Sequence, residues 1–130
     1  MTISANTTII NSMMDSISTA IDAGAGAGLI RIYDSTRPSK GGTATTLLAE
    51  LTFSDPSFSA ASNGIITANV ITGDVTPAAN GTATWFRVVD SNSNFILDGD
   101  VGTDLILTNN SIQTTVPVEI SLFRLTGPNL

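Results

Sequence analysis

The first part of the chain has the hydrophobic spacing of an amphipathic helix. Between Thr7 and Asp22, apolar residues recur every three or four positions, which places them along one helical face. Asn6, Thr7 or Thr8 can cap the start of this helix, and Gly24 can end it. The helix must lie against a sheet or a neighbouring subunit, because a segment of this length with many β-branched residues is marginal alone. Its large apolar side chains are Ile9, Ile10, Met13, Met14, Ile17 and Ile21.

After the helix, the pattern changes to the alternation that is typical of β-strands. Residues 23–28 alternate Ala and Gly, which offers too little side-chain bulk to fix a conformation, and we interpret them as a hinge. Turn pairs such as Asn63-Gly64 and Asn80-Gly81 separate the apolar runs that follow. Strands are predicted at 29–33, 47–53, 65–72, 82–90, 95–101, 105–108 and 118–126, with a shorter candidate at 111–116.

This order of elements predicts a mainly β fold. Short strands at regular spacing, with no helical pattern between them, indicate an antiparallel β-sandwich or jelly roll. We therefore expect a single domain with its amphipathic helix and Ala/Gly hinge at 1–28 and its β-sandwich at 29–130. The loop at 35–46 is long for a simple connection, and long loops often contact partners.

Composition narrows the possible chemistry. The 130 residues include no cysteine and no histidine, which excludes thiol nucleophiles, disulfides, thiolate or imidazole metal ligands and a histidine general base. Five basic residues against 11 acidic ones give a net charge of −6, which disfavours nucleic acid and anionic membranes as partners. No apolar run approaches the roughly 20 residues that span a bilayer. We expect a protein that is not an enzyme and has no cofactor or metal.

One acidic cluster leaves alternatives open. Asp98 and Asp100 flank Gly99, and Asp90 and Asp104 lie nearby. Residues two apart on a strand share a face at about 7 Å, a separation that suits the carboxylate pair of an inverting glycosidase. A polar strand end or turn explains the same residues more simply. The alternatives are a Ca²⁺ site and a carbohydrate-binding or hydrolytic β-sandwich.

Two neighbouring aromatic residues add a candidate contact. Trp85 and Phe86 are adjacent on a predicted strand, so they face opposite sides of the sheet. The one that faces away from the core is an interface candidate unless a second layer covers it. The loop at 35–46 contributes two of the few cations. The predicted partner interface is therefore Ile9, Ile10, Met13, Met14, Ile17, Ile21, Arg37, Lys40, Trp85 and Phe86.

Five segments distributed over nearly the whole chain carry a family resemblance. They are ANTTIINSMMDSIS at 5–18, IYDSTRP at 32–38, GGTATTLLAELTFSDP at 41–56, GTATWFRVVDS at 81–91 and LDGDVG at 97–102. In these segments the chain resembles a family of small, β-rich structural proteins of tailed bacteriophages.

That resemblance implies a non-enzymatic virion protein that is assembled in the host cytoplasm. Some small β-rich phage proteins of this kind act as capsid cement or decoration proteins, so we expect binding to the major capsid protein and stabilisation of the shell. The expected oligomer is a homotrimer. A tail, neck or fibre component of the virion is the alternative.

Overall fold

The computed structural model describes residues 4–128 and begins with the helix that the apolar spacing predicts. Helix α1 spans Thr7–Ile21. The Asn6 side chain caps it by accepting a hydrogen bond from the Thr8 N–H at 2.8 Å. No helix in the described part of the chain has the length and hydrophobicity needed to cross a bilayer. The residues of α1 that contact the hydrophobic core are Ile10, Met14, Ile17 and Ile21.

Nine β-strands follow α1 within residues 4–128. They are β1 (Leu29–Tyr33), β2 (Leu47–Thr52), β3 (Ile65–Thr67), β4 (Gly81–Thr82), β5 (Trp85–Val89), β6 (Phe95–Asp100), β7 (Leu105–Leu107), β8 (Ser111–Ile112) and β9 (Ile120–Thr126). The predicted strand at 65–72 is shorter than expected. Strand β3 ends at Thr67, and the last backbone bond to β9 is donated by the Ala68 N–H to the Phe123 carbonyl at 2.9 Å. Thr72 then forms a single antiparallel bridge with Thr52 at the end of β2.

The strands form an antiparallel sandwich, as predicted. The main sheet has the order β2-β1-β5-β6, the second sheet has the order β3-β9-β7, and β4 pairs with β8. Phe86 on β5 meets Phe123 on β9 edge to face, with ring centroids 5.3 Å apart. Phe53 and Phe58 contact the same Phe123 ring. This aromatic cluster joins the two sheets through the core, and edge-to-face contacts of this kind add to the burial of apolar area.

Helix α1 is bound to the segment that precedes β3. Two polar side chains of the helix, four residues apart, and that of the residue capping its C-terminus accept hydrogen bonds from backbone N–H groups of this segment. They are Asn11 from Gly64 at 2.7 Å, Asp15 from Ala61 at 2.8 Å, and Asp22 from Ser57 at 3.1 Å. The helix also contacts β6 of the main sheet, so it lies across one side of the sandwich.

The Ala/Gly segment interpreted as a hinge is in close contact with the rest of the fold. Gly28 is buried, and a Cβ placed on it would lie 2.4 Å from Ile21 Cγ2 and 3.1 Å from the Val89 carbonyl oxygen. Gly24 is equally tight, since a Cβ there would lie only 3.1 Å from Ser91 Cβ. Glycine is used here for close approach of the backbone.

The edge of the main sheet at β2 is covered by residues 72–79. Thr52 and Thr72 exchange two backbone hydrogen bonds, of 3.1 and 2.9 Å, and Ala78 donates to the Leu48 carbonyl at 2.8 Å. The Asp74 carboxylate accepts from the Glu50 N–H at 2.9 Å. The opposite edge strand, β6, pairs with β5 alone.

Candidate functional site

A row of charged side chains crosses the outer face of the main sheet. The strand register places Glu50 opposite Arg31, Arg31 opposite Arg87, and Arg87 opposite Asp98. Like charges directly opposite each other destabilise a sheet. Each arginine is therefore paired outward, Arg31 with Glu50 at 2.8 Å and Arg87 with Asp98 at 2.7 Å.

The Arg87–Asp98 pair holds the long loop against this face. The pair is bidentate, with a second contact of 3.0 Å, and both side chains are largely buried. Its hydrogen bonds to Asp98 raise the pKa of Arg87 above its usual value, against the opposing effect of burial. The Asp98 carboxylate also accepts from the Gly41 N–H at 3.1 Å, and Arg87 donates to the Gly42 carbonyl at 2.8 Å. Gly41 adopts a φ of 69°, which glycine tolerates without strain.

The same loop covers the outward-facing aromatic residue. Trp85 lies on the outer face but is 0% exposed. Its ring stacks on Tyr33, and the Arg87 guanidinium carbon lies 5.3 Å from its ring centroid, a cation–π geometry. The indole Nε1–H donates to the Asp34 carbonyl and to Thr45 Oγ1, each at 3.0 Å.

The structure narrows the predicted partner interface. Four of its residues are buried within the chain. Met14, Ile21 and Phe86 belong to the hydrophobic core, and Trp85 lies under the loop. Ile10 and Ile17 are half-buried. The predicted residues that are exposed to solvent are Ile9, Met13, Arg37 and Lys40.

The acidic cluster is engaged in local structure. Asp90 closes the β5–β6 turn by accepting hydrogen bonds from the side chain and backbone of Asn94 and from the Asn92 N–H, each at 2.9 Å. These bonds lower the pKa of Asp90. Asp98 pairs with Arg87, and Asp100 pairs with Arg37 at 3.0 Å. Among residues 4–128, no three His, Cys, Asp or Glu side chains lie close enough to share a metal ion.

The second sheet carries an apolar pair that the sequence analysis did not single out. Ile106 on β7 lies directly opposite Leu122 on β9, and their side chains are 39% and 37% exposed. Their neighbours Leu105 and Phe123 point into the core. The sequence feature that could have indicated this pair is the uninterrupted apolar run at 105–107. A strand with one solvent-exposed face normally carries polar residues at alternate positions, so the run indicates an exposed apolar side chain.

A groove of about 310 Å³ runs beside β6 and combines apolar and cationic side chains. Its lining residues are Arg37, Lys40, Phe95, Ile96, Leu97 and Asp98. Lys40 forms no ion pair with any residue that the structure describes.

Comparisons with known protein families, with curated proteins and with solved structures give no match to this chain. The features that bear on function are therefore the exposed surfaces and the resemblance in the sequence.

Proposed function

We propose that the chain is a non-enzymatic structural protein of a phage virion that acts as a capsid cement or decoration protein. In this role it binds the shell formed by the major capsid protein. The sequence resemblance supplies the virion setting. The observation that carries the binding role is the presence of two exposed apolar pairs on different elements, Ile9 with Met13 on α1 and Ile106 with Leu122 on β7 and β9.

The helix pair is held in a form that suits binding. Ile9 and Met13 are one helical turn apart and are 56% and 43% exposed. The helix that carries them is fixed by buried Met14 and by the hydrogen bonds that the Asn11 and Asp15 side chains accept from the Gly64 and Ala61 N–H groups. Apolar side chains on a fixed backbone lose little conformational entropy when a partner covers them.

Two separate apolar pairs suit a protein that joins subunits. A cement protein lies over junctions between capsid subunits, so it has to contact the shell at more than one place. Ile9 and Met13 supply one contact from the helix, and Ile106 and Leu122 supply another from the second sheet. A homotrimer, as the sequence analysis expects, would repeat both contacts around a three-fold axis.

The remaining surface fits contacts that depend little on salt. Only 12% of the residues are charged, and three of the five cations are in ion pairs within the chain. The hydroxyl and amide groups that dominate the polar residues can form direct or water-mediated hydrogen bonds, which salt screens only weakly.

Particles lacking the protein provide the test. Such particles should lose thermal robustness, and added protein should restore it. The double variants Ile9→Ser/Met13→Ser and Ile106→Ser/Leu122→Ser should each bind the particles at least about tenfold more weakly. Val75→Ser is the matched control, since Val75 is 71% exposed and belongs to neither pair.

Full occupancy of the shell by both double variants, with thermal unfolding unchanged, would contradict the assignment of shell binding to the two apolar pairs. A low copy number in whole particles would contradict the cement role itself. A cement protein requires hundreds of copies, whereas a tail, neck or fibre component requires about 3 to 36, as cyclic symmetry allows.

A further inference from the structure

The main sheet has an open edge at β6. In an antiparallel pair, the N–H and C=O groups of alternate residues point away from the paired strand. Within residues 4–128, no segment other than β5 forms backbone-to-backbone hydrogen bonds with residues 95–100. No residue of β6 is fully buried, although the Asp98 side chain is largely covered, whereas four of the five residues in β5 are buried.

The other edge strands of the two larger sheets, β2, β3 and β7, form backbone hydrogen bonds with neighbouring segments of the chain. Residues 72–79 cover β2, as described above. The edge at β3 is covered by a hydrogen bond of 3.1 Å from Ser59 to the Thr67 carbonyl, and at β7 the Gly102 N–H donates to the Leu105 carbonyl at 2.7 Å. Open edges favour pairing with another chain, and proteins usually cover them. Helix α1 contacts β6, and Thr103 Oγ1 donates to the Asp100 carbonyl at 3.1 Å, but no strand pairs with this edge in the described residues. The unpaired β6 edge is therefore a candidate site for an added strand.

The groove beside this edge has the properties of a peptide site. Phe95, Ile96 and Leu97 supply an apolar wall, and Phe95 is 38% exposed. Asp98 also lines the groove, but its carboxylate is engaged by Arg87 and by the Gly41 N–H. Arg37 is paired with Asp100. The charge left over in the groove is that of Lys40, which is positive although the whole chain carries −6.

We propose that β6 binds an extended, acidic segment of a partner protein as an additional strand. The partner's backbone pairs with the open edge, one of its apolar side chains contacts Phe95 and Leu97, and a carboxylate faces Lys40. In this mode of recognition, backbone hydrogen bonds supply affinity and the pockets supply specificity. The inference rests on the proposed function, because it describes how the shell partner is held.

Charge favours a foreign segment over a second copy of this chain. A second copy of β6 would bring Asp98 and Asp100 to the edge, and both carboxylates are already paired with arginines. No free carboxylate of β6 would then remain for Lys40. An acidic partner segment supplies one.

A blocked synthetic octapeptide of alternating Glu and Val is the probe for this site. Added to the ¹⁵N-labelled full chain, it should shift the amide resonances of Gly41 and residues 95–100 in a saturable way and slow hydrogen exchange along β6. Lys40→Glu should weaken binding at least about tenfold. Arg124→Glu is the matched control, because Arg124 is an exposed cation on the second sheet, and this variant should bind as the wild type does.

Three outcomes of the peptide experiment would overturn the proposal. They are an absence of shifts along β6 at about 1 mM peptide, equal binding of a Lys/Val octapeptide, and protection of β6 without peptide that grows with protein concentration. The last result would assign the edge to a second copy. Peptide binding without any binding to particles would contradict the cement role alone. Particle binding that is unchanged in Lys40→Glu would contradict the edge proposal alone.

Discussion

The rings of Tyr33 and Trp85 stack across the β1–β5 pair, with centroids 4.4 Å apart and planes inclined by 16°. They lie on the outer face of the main sheet and are nevertheless buried, because the loop after β1 folds over them. The indole of Trp85 is tied to this loop by hydrogen bonds to Asp34 and Thr45. The two rings and the loop therefore form a small second core outside the sandwich.

Replacing the indole should destabilise this outer core. Trp85→Phe removes the Nε1–H donor, leaves the Asp34 carbonyl without it, and creates space under the loop, so we expect a loss of about 2–3 kcal/mol. Thr45→Val removes the Oγ1 that accepts from the indole and donates to the Asp34 carbonyl. The indole keeps its own bond to Asp34, so this variant should cost less than Trp85→Phe, about 1–2 kcal/mol. Urea unfolding followed by far-UV circular dichroism measures both. Equal stabilities of Trp85→Phe and the wild type would show that the loop does not depend on the indole.

Breaking the buried ion pair should be costly. Asp98→Asn leaves the Arg87 guanidinium largely buried without its counter-charge, and we expect a loss of about 3 kcal/mol. The control is Glu50→Gln at the other end of the charged row, where the more exposed partner of Arg31 should contribute less than about 1 kcal/mol. Denaturant midpoints at constant pH compare the two variants. Similar losses in both would mean that burial of the Arg87–Asp98 pair has no energetic weight.

Two glycines distinguish a mobile hinge from a packed connection. In Gly28→Ala the new methyl group meets Ile21 and the Val89 carbonyl, and overpacking of this kind should cost about 1–3 kcal/mol. In Gly26→Ala the nearest atom is Ser91 Cβ at 3.7 Å, and stability should change by no more than about 0.5 kcal/mol. Thermal unfolding of the two variants provides the comparison. A mobile hinge would tolerate both substitutions equally.

The turn that Asp90 closes should make stability depend on acid pH. Hydrogen bonds lower the pKa of Asp90 in the folded chain, so its contribution is complete above the ordinary carboxyl value of about 4. The contribution is lost as the pH falls through the lower folded value. Asp90→Asn should therefore be less stable than the wild type at pH 7, and the difference should shrink in more acidic solution. Glu119→Gln, at an exposed position, is the control for the loss of one carboxylate.

The local pattern of the sequence was sufficient for the helix and for the positions of most strands. Apolar spacing predicted α1 almost to its last residue, and alternation with Asn-Gly turns predicted the antiparallel class. Among the strands, 65–72 differs from the prediction because it ends as β3 at Thr67, and 82–90 differs because it divides into β4 and β5. At Asn63-Gly64, both residues have positive φ, and Ser62 and Ile65 exchange backbone hydrogen bonds of 3.0 Å. A two-residue turn of this kind fixes a hairpin by local chemistry alone.

The covering of surfaces was not predictable in the same way. Whether Trp85 is exposed depends on where Asp34 and Thr45 lie, and whether the β2 edge is open depends on residues 72–79. These contacts join positions far apart in sequence, and no local periodicity specifies them. The Arg87–Asp98 pair is intermediate, because the short turn closed by Asp90 sets the β5–β6 register.

The strand order of the main sheet also determines when its parts can come together. β1 pairs with β2, and β5 pairs with β6, and in each pair the two strands follow one another in the sequence. The pairing of β1 with β5, for example of Ile30 with Val88, instead closes a long segment that contains β2, β3 and β4. Closing so long a segment costs chain entropy before any contact compensates for it, which slows folding. The two hairpins can therefore form early, and the junction of β1 with β5 completes the sheet last. Trp85 is the single tryptophan of the chain, so its fluorescence reports the time at which this junction closes.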